Sequence, residues 1–518
     1  MTRTSTMIAS SFLPRARALP ARWAAAALWC SLAAAPWALA QTPPKAPSDG
    51  VPDKQVAEGK AESLNMRLVG AEPLQGRTAY QPTIQHQGNR WIAYVGHHGD
   101  KKMNPLTGKM EDNGTSVVDV TDPKKPKYLT HIPGEEGKAE QGGAQMVRVC
   151  AGADLPKGDK SKFYMLRVFG NQAHEIWDVT APEKPTLLTT IGRGLKGTHK
   201  NFWECDTGIA YLVSGHPQWR TNRMTQIYDL SDPAKPVFIR DFGLVGQQPG
   251  AGGPVPISLH GPISSGPKGN RVYFGYGTNT DGVLQIVDRD KLLNGPKEPT
   301  PENLLAPQVA RLDLPPMHGA HTVFPLFGVE IPEFSKNLLG KKRDFIVVTD
   351  EAIQKECLEG RQMVWVVDVT TETKPFGVSS WTVPEASGNF CTRGGRFGTH
   401  SSNESTAPVF HKKLMFFAHF NAGVRVLDVR NPMNLKEVAW YIPAMTKETV
   451  VLETPASMAA SGLPFTEASK RRAIQTNNVE VDERGYVYIV DRANTGLHIL
   501  ELTGPARNIA DWSAAVKN

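Results

Sequence analysis

Gln226-Ile227-Tyr228-Asp229, followed at once by Leu230-Ser231-Asp232-Pro233-Ala234-Lys235-Pro236, decides the fold. The first run is a short strand of β-formers closed by an acid. The second is a turn with a mechanism: an Asp side chain bonds its own backbone two residues on, and Pro presets φ. The unit recurs as Ser116-Val117-Val118-Asp119 with VTDPKKP, Glu175-Ile176-Trp177-Asp178 with VTAPEKP, and Gln285-Ile286-Val287-Asp288. It returns as Trp365-Val366-Val367-Asp368 with VTTETKP, Arg425-Val426-Leu427-Asp428 with VRNPMNL, and a degenerate His498-Ile499-Leu500-Glu501. The acids stand 51 to 80 residues apart, the period of propeller blades.

Each unit holds four strand-like segments. In the third these are HKNFWEC, GIAYLVSG, MTQIYDL and PVFIRDFG. Seven copies therefore predict an all-β, seven-bladed propeller of four-stranded blades. The last unit, VEVDERGYVYIVDRANTGLHILEL, lacks a fourth strand, and Asn65-Met66-Arg67-Leu68-Val69 resembles the missing piece. An N-terminal strand joining the C-terminal blade closes the ring and removes an exposed edge. Loop insertions are expected near 290–307, 328–343, 352–361 and 442–470.

Residues 1–40 read as a signal peptide. Arg15, Arg17 and Arg22 flank the apolar run Trp23–Ala35, and Ala38-Leu39-Ala40 gives a small-x-small cleavage pattern. Residues 41–62 read as a flexible lead-in, 63–503 as the propeller and 504–518 as a C-terminal tail. Removing the four arginines of the signal leaves 54 basic and 51 acidic residues. That balance points to neither nucleic acid nor a membrane surface, and no membrane span is expected after cleavage. The expected location is periplasmic or secreted.

The repeat resembles the LVIVD repeat of secreted bacterial propeller-like proteins. Leu284-Gln285-Ile286-Val287-Asp288 and Tyr488-Ile489-Val490-Asp491 come close to the eponymous string, and the likeness spans nearly the whole mature chain. It implies the fold and leaves the activity open. A more distant likeness, of architecture alone, is to the selenium-binding, methanethiol-oxidising propellers. That likeness implies histidine-bound copper and transfers no residues.

In a propeller the first strand of each blade lines the channel, so its start and the end of the antiparallel second strand share one face. Strand-one starts give Gln81, Gln145, His199, His260, His321, His400 and Asn477. Strand-two ends give His97 and His98, His216, Asp350 and Glu351, His419, and Asp491. His318 and Glu404 stand nearby. His199, His260, His321, His400, His419, His98 and Asp350 form the candidate metal set. Imidazole suits a transition metal, with copper favoured and zinc or iron acceptable. Two other readings fit: histidines that bond carbonyls and hold the ring together, and a metal-free polar pocket for an anion or small organic ligand.

The Gly250-Ala251-Gly252-Gly253 stretch lacks the Lys-Ser/Thr of a phosphate loop, and no Ser sits in a nucleophile elbow. Cys150, Cys205, Cys357 and Cys391 remain after cleavage, an even number in an oxidising compartment. Cys357–Cys391 would clamp a loop over the histidine-bearing face. Cys150 and Cys205 either pair across neighbouring blades or stay buried thiols. Three functions follow: an envelope protein binding a small ligand, a metal or a partner protein; a transition-metal oxidoreductase, copper-dependent by preference, acting on a small, sulfur-containing substrate; and an interaction scaffold using the insertions. Whether the protein is an enzyme is left open by sequence.

Overall fold

The computed structural model describes residues 60–331, 340–452, 455–460, 464–467 and 469–516. The expected signal, nearly all of the expected lead-in, and parts of the insertions at 328–343 and 442–470 lie outside the described residues.

Seven antiparallel sheets form the ring. The third blade runs Phe202–Trp203, Ile209–Ser214, Met224–Asp229 and Val237–Phe242 in order from the channel outward. The other blades repeat this order. The seventh consists of Thr476–Val481, Val487–Asp491 and Leu497–Leu502, completed by Met66–Glu72. Met66 pairs with Leu502 and Glu72 with Leu497, so an N-terminal strand closes the ring as expected. A further strand, Glu62–Leu64, pairs with Lys436–Ile442 and widens the sixth blade to five strands.

Each sheet is sandwiched between two neighbours, so its inner strands are buried on both faces, while the outer fourth strands stay partly exposed. This is why second strands such as Ile209–Ser214 and Leu414–Ala418 read as near-continuous apolar runs rather than alternating ones. The core is divided accordingly into apolar clusters between adjacent blades. Ile92, Tyr94 and Val117 of the first blade pack on Val147 and Met165 of the second. Trp91 and Val95 of the first pack on Tyr488 and Val490 of the seventh. The remaining five interfaces carry similar clusters.

The Asp-Pro turns form as their chemistry dictates. Asp119, Asp178, Asp229, Asp368 and Asp428 accept from the backbone N–H two residues on, at 2.8 to 3.0 Å. Asp122 and Asp232, inside the turns, do the same at 3.0 and 3.1 Å. The fourth blade differs. Asp288 accepts from Lys291 N and caps a helix, Arg289–Asn294. A second helix, Pro301–Leu305, starts at Thr300 with Pro in its first turn. The insertion expected as a loop near 290–307 is therefore largely helical. The C-terminal segment is not loose: Trp512 packs against Phe410, ring centroids 6.1 Å apart.

Both disulfides form, and each joins neighbouring blades. Cys150–Cys205 links the second to the third, and Cys357–Cys391 links the insertion of the fifth to the approach of the sixth. Their Cα separations are 5.5 and 5.2 Å, within the reach of a disulfide. Among the described residues no helix is long and apolar enough to cross a membrane.

Candidate functional site

The start of the first strand fixes the histidines. His199, His321 and His400 donate their backbone N–H to Val213, Thr349 and Ala418 at the second-strand ends, at 2.9 to 3.0 Å. One register in successive blades thus aims one side chain after another at the channel axis. His199, His260, His321 and His400 are all at most 3% exposed. Their ring centroids lie 4.5, 3.7 and 4.3 Å apart in blade order, a continuous arc.

The ring nitrogens are sorted by their partners. His260 Nδ1 donates to the His321 carbonyl at 2.9 Å, and His400 Nδ1 donates to the Asn477 carbonyl. Both Nε2 atoms are therefore lone-pair donors, oriented by carbonyls as metal-binding imidazoles usually are. His199 Nε2 stands 2.9 Å from His260 Nε2 and 3.2 Å from the Tyr80 hydroxyl. His321 Nδ1 bonds Thr322 Oγ1 at 2.9 Å, and its Nε2 has no partner among the described residues. Glu351 approaches from the fifth blade, 3.9 Å from His260 Nε2 and 3.7 Å from His400 Nε2. His260, His321 and Glu351 each offer a ligand atom, all within 4.8 Å of one another.

Burial, reinforced by nearby cations and imidazoles, holds all four histidines well below 6.5. They are neutral at pH 7 and free to coordinate. Burial, opposed by Arg396 at 3.1 Å, pushes Glu351 up to about 7. A shared cation would favour its ionised form.

The other expected site residues go elsewhere. His98 packs on Tyr80, centroids 5.1 Å apart, and neither of its ring nitrogens has a partner among the described residues. His419 contacts Trp381 and Phe397 rather than the four histidines. Asp350 turns away from the arc: its Oδ2 accepts from His318 Nδ1 at 2.7 Å, Met363 N at 2.8 Å and Trp365 Nε1 at 3.2 Å. Glu351, the next residue and also past the end of the second strand at Thr349, takes the inward place. His97 is satisfied by the Thr78 carbonyl and Ser116 Oγ at 3.0 and 2.7 Å. Asp491 accepts from Gln475 N and Ala493 N, a structural role.

Sequence reasoning missed Tyr80, Arg396, Arg492 and Lys200. Each lies within four residues of a channel-facing position, and that adjacency was the available signal. Further along the inner strands, Lys200 and Arg148 both pair with Glu404. Burial pushes the Glu404 carboxyl up, but the two cations outweigh it and hold it below the usual range.

No protein-family model matches the sequence, and no curated protein matches it. Solved structures do resemble it. Raptor from Chaetomium thermophilum aligns over 85% of this chain at 11% identity, with a TM-score of 0.50. This chain spans only 30% of that Raptor chain. Sqt1 from the same organism aligns over 85% of this chain and 98% of its own, at 10% identity and a TM-score of 0.45. At such identities the likeness is one of fold, the β-propeller ring.

Proposed function

We propose that this chain is an exported propeller of the LVIVD-repeat kind that binds one transition-metal ion at the channel mouth. A propeller fits a binding role, and His260, His321 and Glu351 supply a first set of ligands, with His199 and His400 beside them. The observation that carries the reading is the convergence of imidazole Nε2 atoms from successive blades. Two nitrogens each about 2.1 Å from one ion at a right angle stand roughly 3 Å apart, which matches the 2.9 Å between His199 and His260. An imidazole-rich set favours copper on affinity. Export is supported by the Arg-flanked apolar run ending in Ala38-Leu39-Ala40 and by the two disulfides.

The test is elemental analysis of protein recovered from an oxidising compartment, then reconstituted separately with copper, zinc and iron. One equivalent of metal is expected. It should vanish in the double variant His260→Ala, His321→Ala while circular dichroism still reports a folded β-protein. Failure of all three metals to bind the parent chain would overturn the reading.

A further inference from the structure

Above the histidine arc the channel opens into a cavity of about 650 Å³, lined among others by His98, Lys355, Arg396, Arg492 and Asn494. Its charged lining does not cancel: Asp100 stands against Lys102, Lys138, Lys355, Arg396 and Arg492. Arg396 gives Nη1 to Glu351 and to the Ala352 carbonyl, at 3.1 and 3.2 Å, while its Nε is buried with no partner. Arg492 is only 9% exposed. Its backbone is tied down, with N donating to Gln475 and O accepting from Thr78 Oγ1. Its guanidinium meets no acceptor or carboxylate among the described residues. The nearest acids are already engaged: Glu140 pairs with Arg223 at 2.8 Å, and Glu351 with Arg396. Arg396 also sits close enough to Arg492 for the two like charges to repel.

A buried guanidinium without an acceptor is costly. Arg492 is one, and beside it Arg396 keeps an unpartnered Nε, so the two guanidiniums at the polar cavity form a fork suited to a planar or tetrahedral oxyanion. We infer that the channel mouth is a binding site for a small oxyanion, held by Arg492 and Arg396 with the His98 ring alongside. The site adjoins the proposed metal ligands through Arg396, which bonds Glu351, but Arg492 bonds none of them, and the anion binds whether or not the histidines hold an ion. An anion seated there closes the channel over the arc and neutralises the excess positive charge at the mouth.

The experiment is isothermal titration of the full chain, stripped of metal by chelator dialysis. Inorganic phosphate and malonate are added in separate arms, the first tetrahedral and the second a carboxylate. Saturable one-to-one binding of either anion is expected, and the arm that binds names the class. Arg492→Gln should weaken that binding at least tenfold, since hydrogen bonds to a charged group are the strong ones. Arg492→Lys should retain part of it, because the charge stays and the fork goes. Arg492→Gln is expected to fold, having no protein partner to lose, and its thermal midpoint in anion-free buffer verifies this. Metal loading by Arg492→Gln should equal that of the parent, so failure of anion binding is distinguishable from failure of the metal reading. Absence of saturable binding in both arms, or equal affinity in parent and Arg492→Gln, would overturn the inference.

Discussion

His199 Nε2 and His260 Nε2 face each other at 2.9 Å across two adjacent blades. His260 Nε2 carries a lone pair, because its Nδ1–H is committed to the His321 carbonyl. If His199 Nε2 accepts from the Tyr80 hydroxyl, two lone pairs confront each other, an arrangement that one shared cation relieves. Tyr80 is thus a competitor for the His199 lone pair. Tyr80→Phe should therefore leave metal stoichiometry unchanged and alter affinity by less than tenfold. His199→Ala should lower affinity more than tenfold. Competition with a chromogenic chelator measures both.

Ring closure rests on close contact as well as on strand pairing. Gly70 lies in the N-terminal strand of the seventh blade, against the Asp-Pro turn of the first. A Cβ added there would meet the Pro123 carbonyl at 2.2 Å and Lys124 C at 3.2 Å. Gly70→Ala should destabilise the fold by about 1–3 kcal/mol, the usual range for overpacking. Urea denaturation with an unchanged m-value would show it.

The disulfides close segments of 55 and 34 residues. Loop-entropy arithmetic gives about 4 kcal/mol for each. Since each link joins neighbouring blades, its loss acts on one interblade interface. Cys150→Ala with Cys205→Ala should lower the denaturation midpoint, and reduction of the parent with dithiothreitol should reproduce most of the combined effect.

Buried histidines make the fold acid-sensitive. Burial lowers His174 to about 3 and His498 to about 4. Both bind protons more tightly in the unfolded chain, so their contribution is intact above pH 6.5 and is lost as pH falls through that value. By pH 5 each costs about 2 kcal/mol. Buried carboxyls act the other way: Glu480 is raised to about 7 and Asp491 to about 6, so both favour the fold as pH drops. The histidines are more numerous, because burial also lowers His97, His98 and His419. Stability should fall between pH 6.5 and 5, and His498→Asn should shallow that slope by about one proton. Urea titrations at four pH values would measure it.

The architecture was legible because repetition is a property of the sequence itself. Seven acid-closed strands, their Asp turns and a missing last strand are local facts; five blades form the Asp turn, and the fourth turns its Asp288 to capping a helix. Candidate site positions were legible for a related reason: a fixed register puts His199, His260, His321 and His400 at one equivalent place in each blade. Register does not say which side chain of a pair faces inward. Asp350 and Glu351 are neighbours just past a strand end, and only the folded path of the chain gave the channel to Glu351 and His318 to Asp350. His419 had the right position, yet its ring settled between Trp381 and Phe397.

By itself, then, the sequence determined the blade count, the closure and the set of imidazoles available, since these follow from local periodicity and turn chemistry. The pairing of cysteines, the 2.9 Å between two imidazole nitrogens and the unpaired guanidinium of Arg492 were decided by tertiary structure alone. Such distances are set when seven sheets pack around one axis, and contacts between blades join residues whose separation along the chain carries no periodic signal.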